Sequence, residues 1–219
     1  CLNKAGADIK GMGTDILIIN GVKELNKVSH SVVSDRIEAG SFAIASSITM
    51  GNVEINNINP KNLTEFTNVL KLTGSKVEIF ENSMNVSCSQ RPKPYDVGTD
   101  PYPGFPTDLQ AQYMALMAIA DGKTFIKETI FENRFMHVQE LIRMGADIKL
   151  KGSNATIVGK KNINGAEVMA TDLRASSSLI IAGLMADGLT TINRIYHLDR
   201  GYENLVEKLS SCCAEIKRI

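Results

Sequence analysis

Two acidic residues and two arginines recur at matching places along this 219-residue sequence. Asp108 and Asp172 each follow a threonine and open an apolar helical stretch. Arg134 lies 26 residues after Asp108, and Arg200 lies 28 residues after Asp172. The planar guanidinium of arginine binds phosphate or carboxylate through paired hydrogen bonds, and a nearby carboxylate can accept a proton. The spacing therefore favours an anion site with a carboxylate base beside it.

A purely structural role is the alternative explanation for the same residues. A threonine–aspartate pair before an apolar run is typical of a helix N-cap. Asp35 occupies the matching place earlier in the chain and could form a capping box with Glu38, three residues later. Arg134 and Arg200 could likewise be solvated surface residues or salt-bridge partners. Both explanations stay open at this point.

The sequence predicts no metal ion and no cofactor. The three histidines, His30, His137 and His197, are widely separated, and no Cys/His spacing matches a zinc site. The glycines of Gly11 to Gly13 favour a hairpin turn over a phosphate loop, because no helix follows them. The four cysteines form neither a CxxC pair nor a disulfide framework. A reduced, cytoplasmic protein is the simplest interpretation.

The composition argues against two classes of partner. Lys and Arg total 24 and Asp and Glu total 24, so the formal net charge is zero. A general binder of nucleic acid or of membrane surfaces needs a basic excess, which this chain lacks. The longest apolar runs, such as Met114 to Ala120, are also too short to span a bilayer. We expect a globular protein that binds neither nucleic acid nor membrane.

A sequence repeat sets the elements that must position these residues. The pentapeptide that starts at Gly6 recurs verbatim at Gly145, and related pentapeptides start at Gly74 and Cys213. The spacings between the four starts are 68, 71 and 68 residues. Each copy ends a helical pattern, and glycine suits the left-handed turn found there. Each copy is also predicted to open a short strand.

Each repeat unit predicts the order helix, strand, helix, strand, strand. Three units are complete or nearly so, and their first helices open at Asp35, Asp108 and Asp172. Residues 1 to about 22 match only the tail of a unit, with a hairpin that closes on Ile16 to Ile19. A helix fragment without its beginning cannot bury an apolar side. We infer a chain cut from a longer protein, with a genuine N-terminal cap as the alternative.

Five segments spread over the whole chain resemble the UDP-N-acetylglucosamine 1-carboxyvinyltransferases, a family of enolpyruvyl transferases. The match is specific because the segments are long and occur in the same order. One departure lies in the first segment, where the family often has proline in place of Ser34. The matching segments are Ser34 to Gly40, Phe105 to Gln112, Phe131 to His137, Ala170 to Ser176 and Tyr196 to Tyr202.

The resemblance implies an α/β fold of two similar domains, each assembled from three βαβαββ repeats, with the active site in the cleft between them. Residues 1–33 would then be the end of a first domain that is mostly absent. Residues 34–219 would form the second enolpyruvyl transferase domain. The missing first domain becomes an expected partner of this chain.

The resemblance also implies a reaction, the first committed step of peptidoglycan synthesis, and so a part in cell shape and division. The 3′-hydroxyl of UDP-N-acetylglucosamine adds to C2 of phosphoenolpyruvate, and phosphate is then eliminated. Asp108 matches the family's proposed base, and Ile130 matches the residue whose main-chain carbonyl holds the sugar portion. Arg134 and Arg200 match arginines that engage phosphoenolpyruvate and stabilise developing charge. Two further positions match supporting residues near the same site, Asp172 and Arg174.

The family's proton-donating cysteine has no counterpart here, since it belongs to a lid of the first domain and should lie upstream of Cys1. We therefore expect the parent protein to be an enzyme and this chain alone to be inactive. A related alternative is 5-enolpyruvylshikimate-3-phosphate synthase, which shares the repeat and uses phosphoenolpyruvate. A second alternative is a non-catalytic domain that binds a sugar nucleotide or a partner protein.

Overall fold

The computed structural model describes all 219 residues, which pack as two compact units, Cys1–Val33 and Ser34–Ile219. The first unit contains one antiparallel hairpin formed by β1 (Asp8–Lys10) and β2 (Ile18–Asn20). The predicted hairpin is therefore present, with its second strand slightly later than Ile16 to Ile19. Most apolar side chains of this unit are exposed to solvent.

The second unit combines helices and strands in a recurring order, as an α/β protein should. Three short 3₁₀ turns precede or connect helices, at Pro60–Leu63, Thr107–Leu109 and Ile195–Arg200. In chain order the elements are α1 (Arg36–Ile48), β3 (Asn52–Asn56), α2 (Thr64–Leu72), β4 (Lys76–Ile79), β5 (Ser83–Ser87), β6 (Val97–Gly98), α3 (Gln110–Ala118), β7 (Lys123–Lys127), α4 (Val138–Arg143), β8 (Asp147–Lys151), β9 (Asn154–Val158), β10 (Glu167–Met169), α5 (Leu173–Gly183), β11 (Thr191–Asn193) and α6 (Leu205–Ser211).

The strands form three separate sheets in this unit. One has the order β3-β5-β4, with β5 antiparallel to both neighbours, and another has the order β6-β7-β9-β8. In the second sheet β6 runs parallel to β7, whereas β9 is antiparallel to β7 and β8. The third consists of β10 and β11 in parallel. Alternate residues along β7, such as Thr124 and Ile126, point into the core, as a strand with one buried face requires.

The segment after Cys213 differs from the repeat-based prediction, because it forms no strand. Its polar groups are used locally instead. The backbone N–H of Ile216 donates to the Ala214 carbonyl, and Ser210 Oγ donates to the Ile216 carbonyl. Arg218 pairs with Asp199 in the preceding 3₁₀ turn. Within residues 34–219, α6 is therefore not followed by a hairpin like β4–β5 or β8–β9.

The helices α1, α3 and α5 form the centre of the unit, and Asp35, Asp108 and Asp172 lie at or just before their starts. Every residue of α3 is buried, which is the pattern of a helix surrounded on all sides. Gly40 of α1 packs closely against the Leu109 side chain, since a Cβ there would lie 2.4 Å from Leu109 Cδ1. A smaller apolar cluster anchors α6 through Leu198, Tyr202 and Leu205. None of the helices is both long and apolar enough to cross a bilayer.

Candidate functional site

Asp108 lies at the centre of a cluster that joins two of the repeat units. It sits in the 3₁₀ turn Thr107–Leu109, directly before α3, and its side chain caps neither element. Arg134 Nη2 donates to Asp108 Oδ1 at 2.8 Å, and Arg174 Nε donates to the same oxygen at 2.9 Å. Since Arg174 belongs to the first turn of α5, the N-terminal ends of α3 and α5 lie side by side.

The cluster is accessible to a ligand. The Asp108 side chain is 31% exposed, and those of Arg134 and Arg174 are 17% and 31% exposed. Burial by itself raises the pKa of Asp108, because it penalises the charged form. The hydrogen bonds and charges of Arg174 and Arg134 outweigh this effect and hold the pKa below its ordinary value. Asp108 is therefore an ionised carboxylate that two cations keep from accepting a proton.

The N-cap alternative is correct for the other two aspartates. Asp172 caps α5, where its Oδ1 accepts from the backbone N–H groups of Arg174 at 2.7 Å and Ala175 at 2.9 Å. Asp35 caps α1 by accepting from Ile37 N at 2.7 Å. The capping box with Glu38 does not form, because Glu38 binds Lys208 Nζ instead.

Arg134 is held by two contacts in addition to Asp108. Its Nη1 donates to Thr107 Oγ1 at 2.9 Å, and its guanidinium lies 4.6 Å from the centre of the Phe131 ring. Ile130 lies in the same loop, and its N–H donates to Glu128 at 2.9 Å. The Ile130 carbonyl accepts no hydrogen bond within the chain and is therefore available to a ligand.

Arg200 stands apart from the cluster. It ends the 3₁₀ turn Ile195–Arg200 and is exposed, and its side chain makes no hydrogen bond or ion pair within the chain. The next residue, Gly201, packs against the start of α5, since a Cβ there would lie 2.8 Å from Leu173 Cδ2. Arg200 is thus near the same helix end as Arg174, but its predicted role stays a prediction.

Three buried or half-buried residues at the site were not identified from the sequence. Thr107 and Glu128 connect to Arg134 through hydrogen bonds. Glu128 continues the inward-facing alternation of β7, and an acidic residue in that register was the available signal. His137 is buried, and burial lowers its pKa to about 4, helped by Arg134 and opposed by Asp172. Its position before α4 gave no comparable indication.

The arrangement suits a ligand that carries both an anionic group and a hydroxyl group. Two guanidinium groups can bind phosphate or carboxylate oxygens through paired hydrogen bonds. A carboxylate and a free main-chain carbonyl can accept hydrogen bonds from hydroxyl or amide groups. No group of three His, Cys, Asp or Glu side chains is placed to hold a metal ion.

Comparison with known proteins identifies relatives along nearly the whole chain. The family described as "EPSP synthase (3-phosphoshikimate 1-carboxyvinyltransferase)" matches residues 1–209. The chain is similar to the UDP-N-acetylglucosamine 1-carboxyvinyltransferases of Geobacter metallireducens, at 54% identity over 220 residues, and Bartonella henselae, at 55% over 221 residues. All of this chain is covered in both cases, but only 52% and 51% of those relatives. The chain spans about half the length of the curated relatives it matches.

Solved structures agree with this assignment of the fold. The enolpyruvyl transferase NikO from Streptomyces tendae superimposes with a TM-score of 0.86 at 27% identity, covering 98% of this chain and 52% of that one. An EPSP synthase from Acinetobacter baumannii superimposes with a TM-score of 0.72 at 21% identity, covering 97% of this chain and 53% of that one. The predicted α/β enolpyruvyl transferase fold is confirmed.

Proposed function

Because this chain belongs to the EPSP synthase family of enolpyruvyl transferases, we propose that it is part of a UDP-N-acetylglucosamine 1-carboxyvinyltransferase. The observation that supports this most strongly is its 51–55% identity, along the whole chain, to relatives of that name. The transferred group is the enolpyruvyl group of phosphoenolpyruvate, the acceptor is the 3′-hydroxyl of UDP-N-acetylglucosamine, and the leaving group is phosphate. Neither a metal ion nor a cofactor takes part in this proposal.

In the proposed reaction, the oxygen of the sugar hydroxyl bonds to C2 of phosphoenolpyruvate while Asp108 accepts the proton of that hydroxyl. The methylene carbon of phosphoenolpyruvate gains a proton in the same addition, and loses one when the phosphate leaves. Arg134 and Arg200 bind the anionic groups of phosphoenolpyruvate and stabilise the charge that develops. The Ile130 carbonyl holds the N-acetylglucosamine portion. Asp172 and Arg174 have supporting roles.

The paired state of Asp108 suggests how substrate binding prepares the base. With Arg134 and Arg174 on one carboxylate oxygen, Asp108 is a weak base. An anionic substrate competes for the same guanidinium groups. Once these cations turn toward the substrate, their effect on Asp108 weakens, and its pKa rises. The carboxylate thus becomes a better base only when phosphoenolpyruvate is bound.

Residues 1–33 are proposed to be the end of a first domain, and residues 34–219 to be the second domain. The exposed apolar side chains of the first segment support this, since Ile16, Ile19, Val32 and Val33 are 66–87% exposed. The rest of that domain would cover them and would supply the acid that protonates the methylene carbon. This chain alone is then inactive. We call this chain, joined to the other half that its relatives have, the full-length protein.

We place the full-length protein in the cytoplasm, in the synthesis of peptidoglycan precursors and hence in cell-wall formation. The four cysteines are all free, as expected in a reducing compartment. The partners are then the two small-molecule substrates and the other domain, with neither nucleic acid nor membrane among them.

The experiment that tests this function measures phosphate release by the full-length protein from phosphoenolpyruvate, with two acceptors in turn. Turnover with UDP-N-acetylglucosamine supports the proposal. Turnover with shikimate 3-phosphate alone would assign the protein to the EPSP synthases instead. Binding of UDP-N-acetylglucosamine without any turnover would identify a non-catalytic sugar-nucleotide-binding protein.

A further inference from the structure

Glu128 is a buried carboxylate beside the site, and it has no basic partner. It is 3% exposed and follows the end of β7. Its Oε1 accepts hydrogen bonds from Thr99 Oγ1 at 2.9 Å, Ile130 N at 2.9 Å and Phe131 N at 3.1 Å. Its Oε2 accepts one from Thr107 Oγ1 at 2.9 Å. Burying such a group is unfavourable unless hydrogen bonds satisfy it, and here four donors do so.

One connection runs from Glu128 to Arg134 through a hydroxyl. The single proton of the Thr107 hydroxyl goes to Glu128 Oε2, so the lone pairs of that oxygen are left for another donor. Arg134 Nη1 occupies this place at 2.9 Å. Glu128 therefore fixes the direction of the Thr107 hydroxyl, and that hydroxyl fixes one edge of the Arg134 guanidinium.

A second connection runs to the Ile130 carbonyl. The N–H of Phe131 and the carbonyl of Ile130 belong to one planar peptide unit, in which they point in opposite directions. Because Glu128 Oε1 holds the Phe131 N–H, the Ile130 carbonyl must point away from Glu128. The loop is fixed at a second point by Thr129, whose N–H donates to Thr99 Oγ1 at 2.9 Å.

We propose that Glu128 is a positioning residue for both substrates, orienting Arg134 through Thr107 and the Ile130 carbonyl through the Phe131 N–H. The inference rests on the proposed function, which assigns phosphoenolpyruvate to Arg134 and the sugar nucleotide to Ile130. Glu128 touches neither substrate. Its effect is on the two groups that do.

The variant Glu128→Gln separates the two connections, because glutamine keeps one acceptor oxygen and replaces the other by a donor. The oxygen stays where three donors converge, so the Ile130 carbonyl keeps its direction. The amide nitrogen then faces the Thr107 hydroxyl, which can no longer donate there. The direction of that hydroxyl, and with it the hydrogen bond from Arg134 Nη1, is no longer fixed. We expect kcat/KM for phosphoenolpyruvate to fall on the order of 10- to 100-fold, less than when a direct transition-state donor is removed. The KM for UDP-N-acetylglucosamine should change less than about twofold.

The variant Glu128→Asp breaks both connections, since the shorter side chain cannot reach all four donors. We expect it to raise the KM for UDP-N-acetylglucosamine as well as to lower kcat/KM for phosphoenolpyruvate. Two controls separate positioning from folding. Glu140→Gln removes another poorly exposed carboxylate that accepts a backbone N–H, and Ser46→Ala removes a buried hydrogen bond to the Val86 carbonyl. Both controls should leave kcat/KM for phosphoenolpyruvate and the KM for UDP-N-acetylglucosamine unchanged, even where they lower the melting temperature.

A double-mutant cycle with Thr107→Val in the full-length protein decides the mechanism. If Glu128 acts through Thr107, then Glu128→Gln changes kcat/KM for phosphoenolpyruvate by less than about twofold in the Thr107→Val background. If Glu128→Gln lowers kcat/KM for phosphoenolpyruvate equally in both backgrounds, or does not lower it in the wild-type background, the inference is overturned. If Glu128→Gln does not fold, the same cycle with Glu128→Asp decides, and an equal loss of kcat/KM in both backgrounds again overturns it. Failure of the wild-type protein to turn over UDP-N-acetylglucosamine refutes the proposed function instead.

Discussion

The carboxylate of Asp108 and the guanidinium of Arg174 meet across two repeat units, with Arg174 Nε 2.9 Å from Asp108 Oδ1. The two residues are 66 positions apart in the sequence; Asp108 lies in the 3₁₀ turn directly before α3, and Arg174 lies in the first turn of α5. The pair therefore ties the N-terminal ends of α3 and α5 together. It also keeps Asp108 ionised, together with Arg134.

Removing the Arg174 side chain should make Asp108 harder to ionise. In Arg174→Ala, the largest of the interactions that lower the Asp108 pKa is lost, and burial continues to raise it. As the proposed base, Asp108 would have to be deprotonated to act, so the acidic limb of the pH profile of kcat/KM should move to higher pH in the full-length protein. Arg143→Ala is the control, since Arg143 is exposed and pairs with Glu140. An acidic limb that stays in place would show that Arg174 does not tune the base.

The stability of the second unit should depend on Asp108 at low pH. The folded-state pKa is lowered below 3.8, so the unfolded chain binds the proton more tightly. The stabilisation is complete above pH 3.8 and is lost as the pH falls through the folded-state pKa. Urea unfolding of Asp108→Asn should therefore show a smaller loss of stability than the wild type on acidification from pH 5 to 3. Glu54→Gln, an exposed change on β3, should follow the wild type. Parallel curves for wild type and Asp108→Asn would contradict the assigned pKa direction.

The two capping aspartates allow a matched comparison of stability with activity. Asp172→Ala and Asp35→Ala each remove an N-cap, which costs about 1 kcal/mol of stability. Only Asp172 holds the backbone N–H of Arg174. Chemical denaturation should give similar losses for the two variants, whereas kcat of the full-length protein should fall in Asp172→Ala alone. Equal activities would mean that the cap on α5 has no bearing on the site.

His137 should remain neutral throughout the physiological range. Burial lowers its pKa to about 4 from an ordinary 6.5, so the unfolded state binds the proton more tightly between these values. Stability is then lost as the pH falls from 6.5 toward 4, by about 2 kcal/mol at pH 5. In an NMR titration the His137 ring resonances should not shift between pH 8 and about pH 5, because burial holds its pKa at about 4. A His137 resonance that shifts near pH 6.5 would contradict this environment.

The sequence predicted the fold better than it predicted the function of each repeated residue. The repeat places Asp108 and Asp172 at equivalent positions, but their local surroundings differ. The Asp172 side chain accepts from backbone N–H groups at the start of α5. Asp108 instead lies within a 3₁₀ turn, and its side chain contacts two arginines. Capping is decided by contacts within a few residues, and so a local pattern could predict it for Asp172. The ion pairs of Asp108 depend on the packing of separate units, which a local pattern does not contain.

For Glu128, the sequence could predict its burial but not its hydrogen-bond partners. Its inward register on β7 could be read from the alternation of Thr124 and Ile126. Its partners Thr99 and Thr107, however, come from two separate segments that only the fold brings together. The absence of a strand after Cys213 was equally unpredictable, because that segment bonds to its own neighbours.

The central claim is that Asp108 is the base of an enolpyruvyl transfer to a sugar nucleotide, and the Asp108→Asn variant of the full-length protein tests it most directly. The measurement is kcat for phosphate release from phosphoenolpyruvate with saturating UDP-N-acetylglucosamine, alongside the Glu54→Gln control. Removal of a general base predicts a loss of about 10²- to 10⁴-fold, with the control at the wild-type rate. A kcat within about twofold of the wild type would contradict the claim and leave Asp108 as an anchor for Arg134 and Arg174.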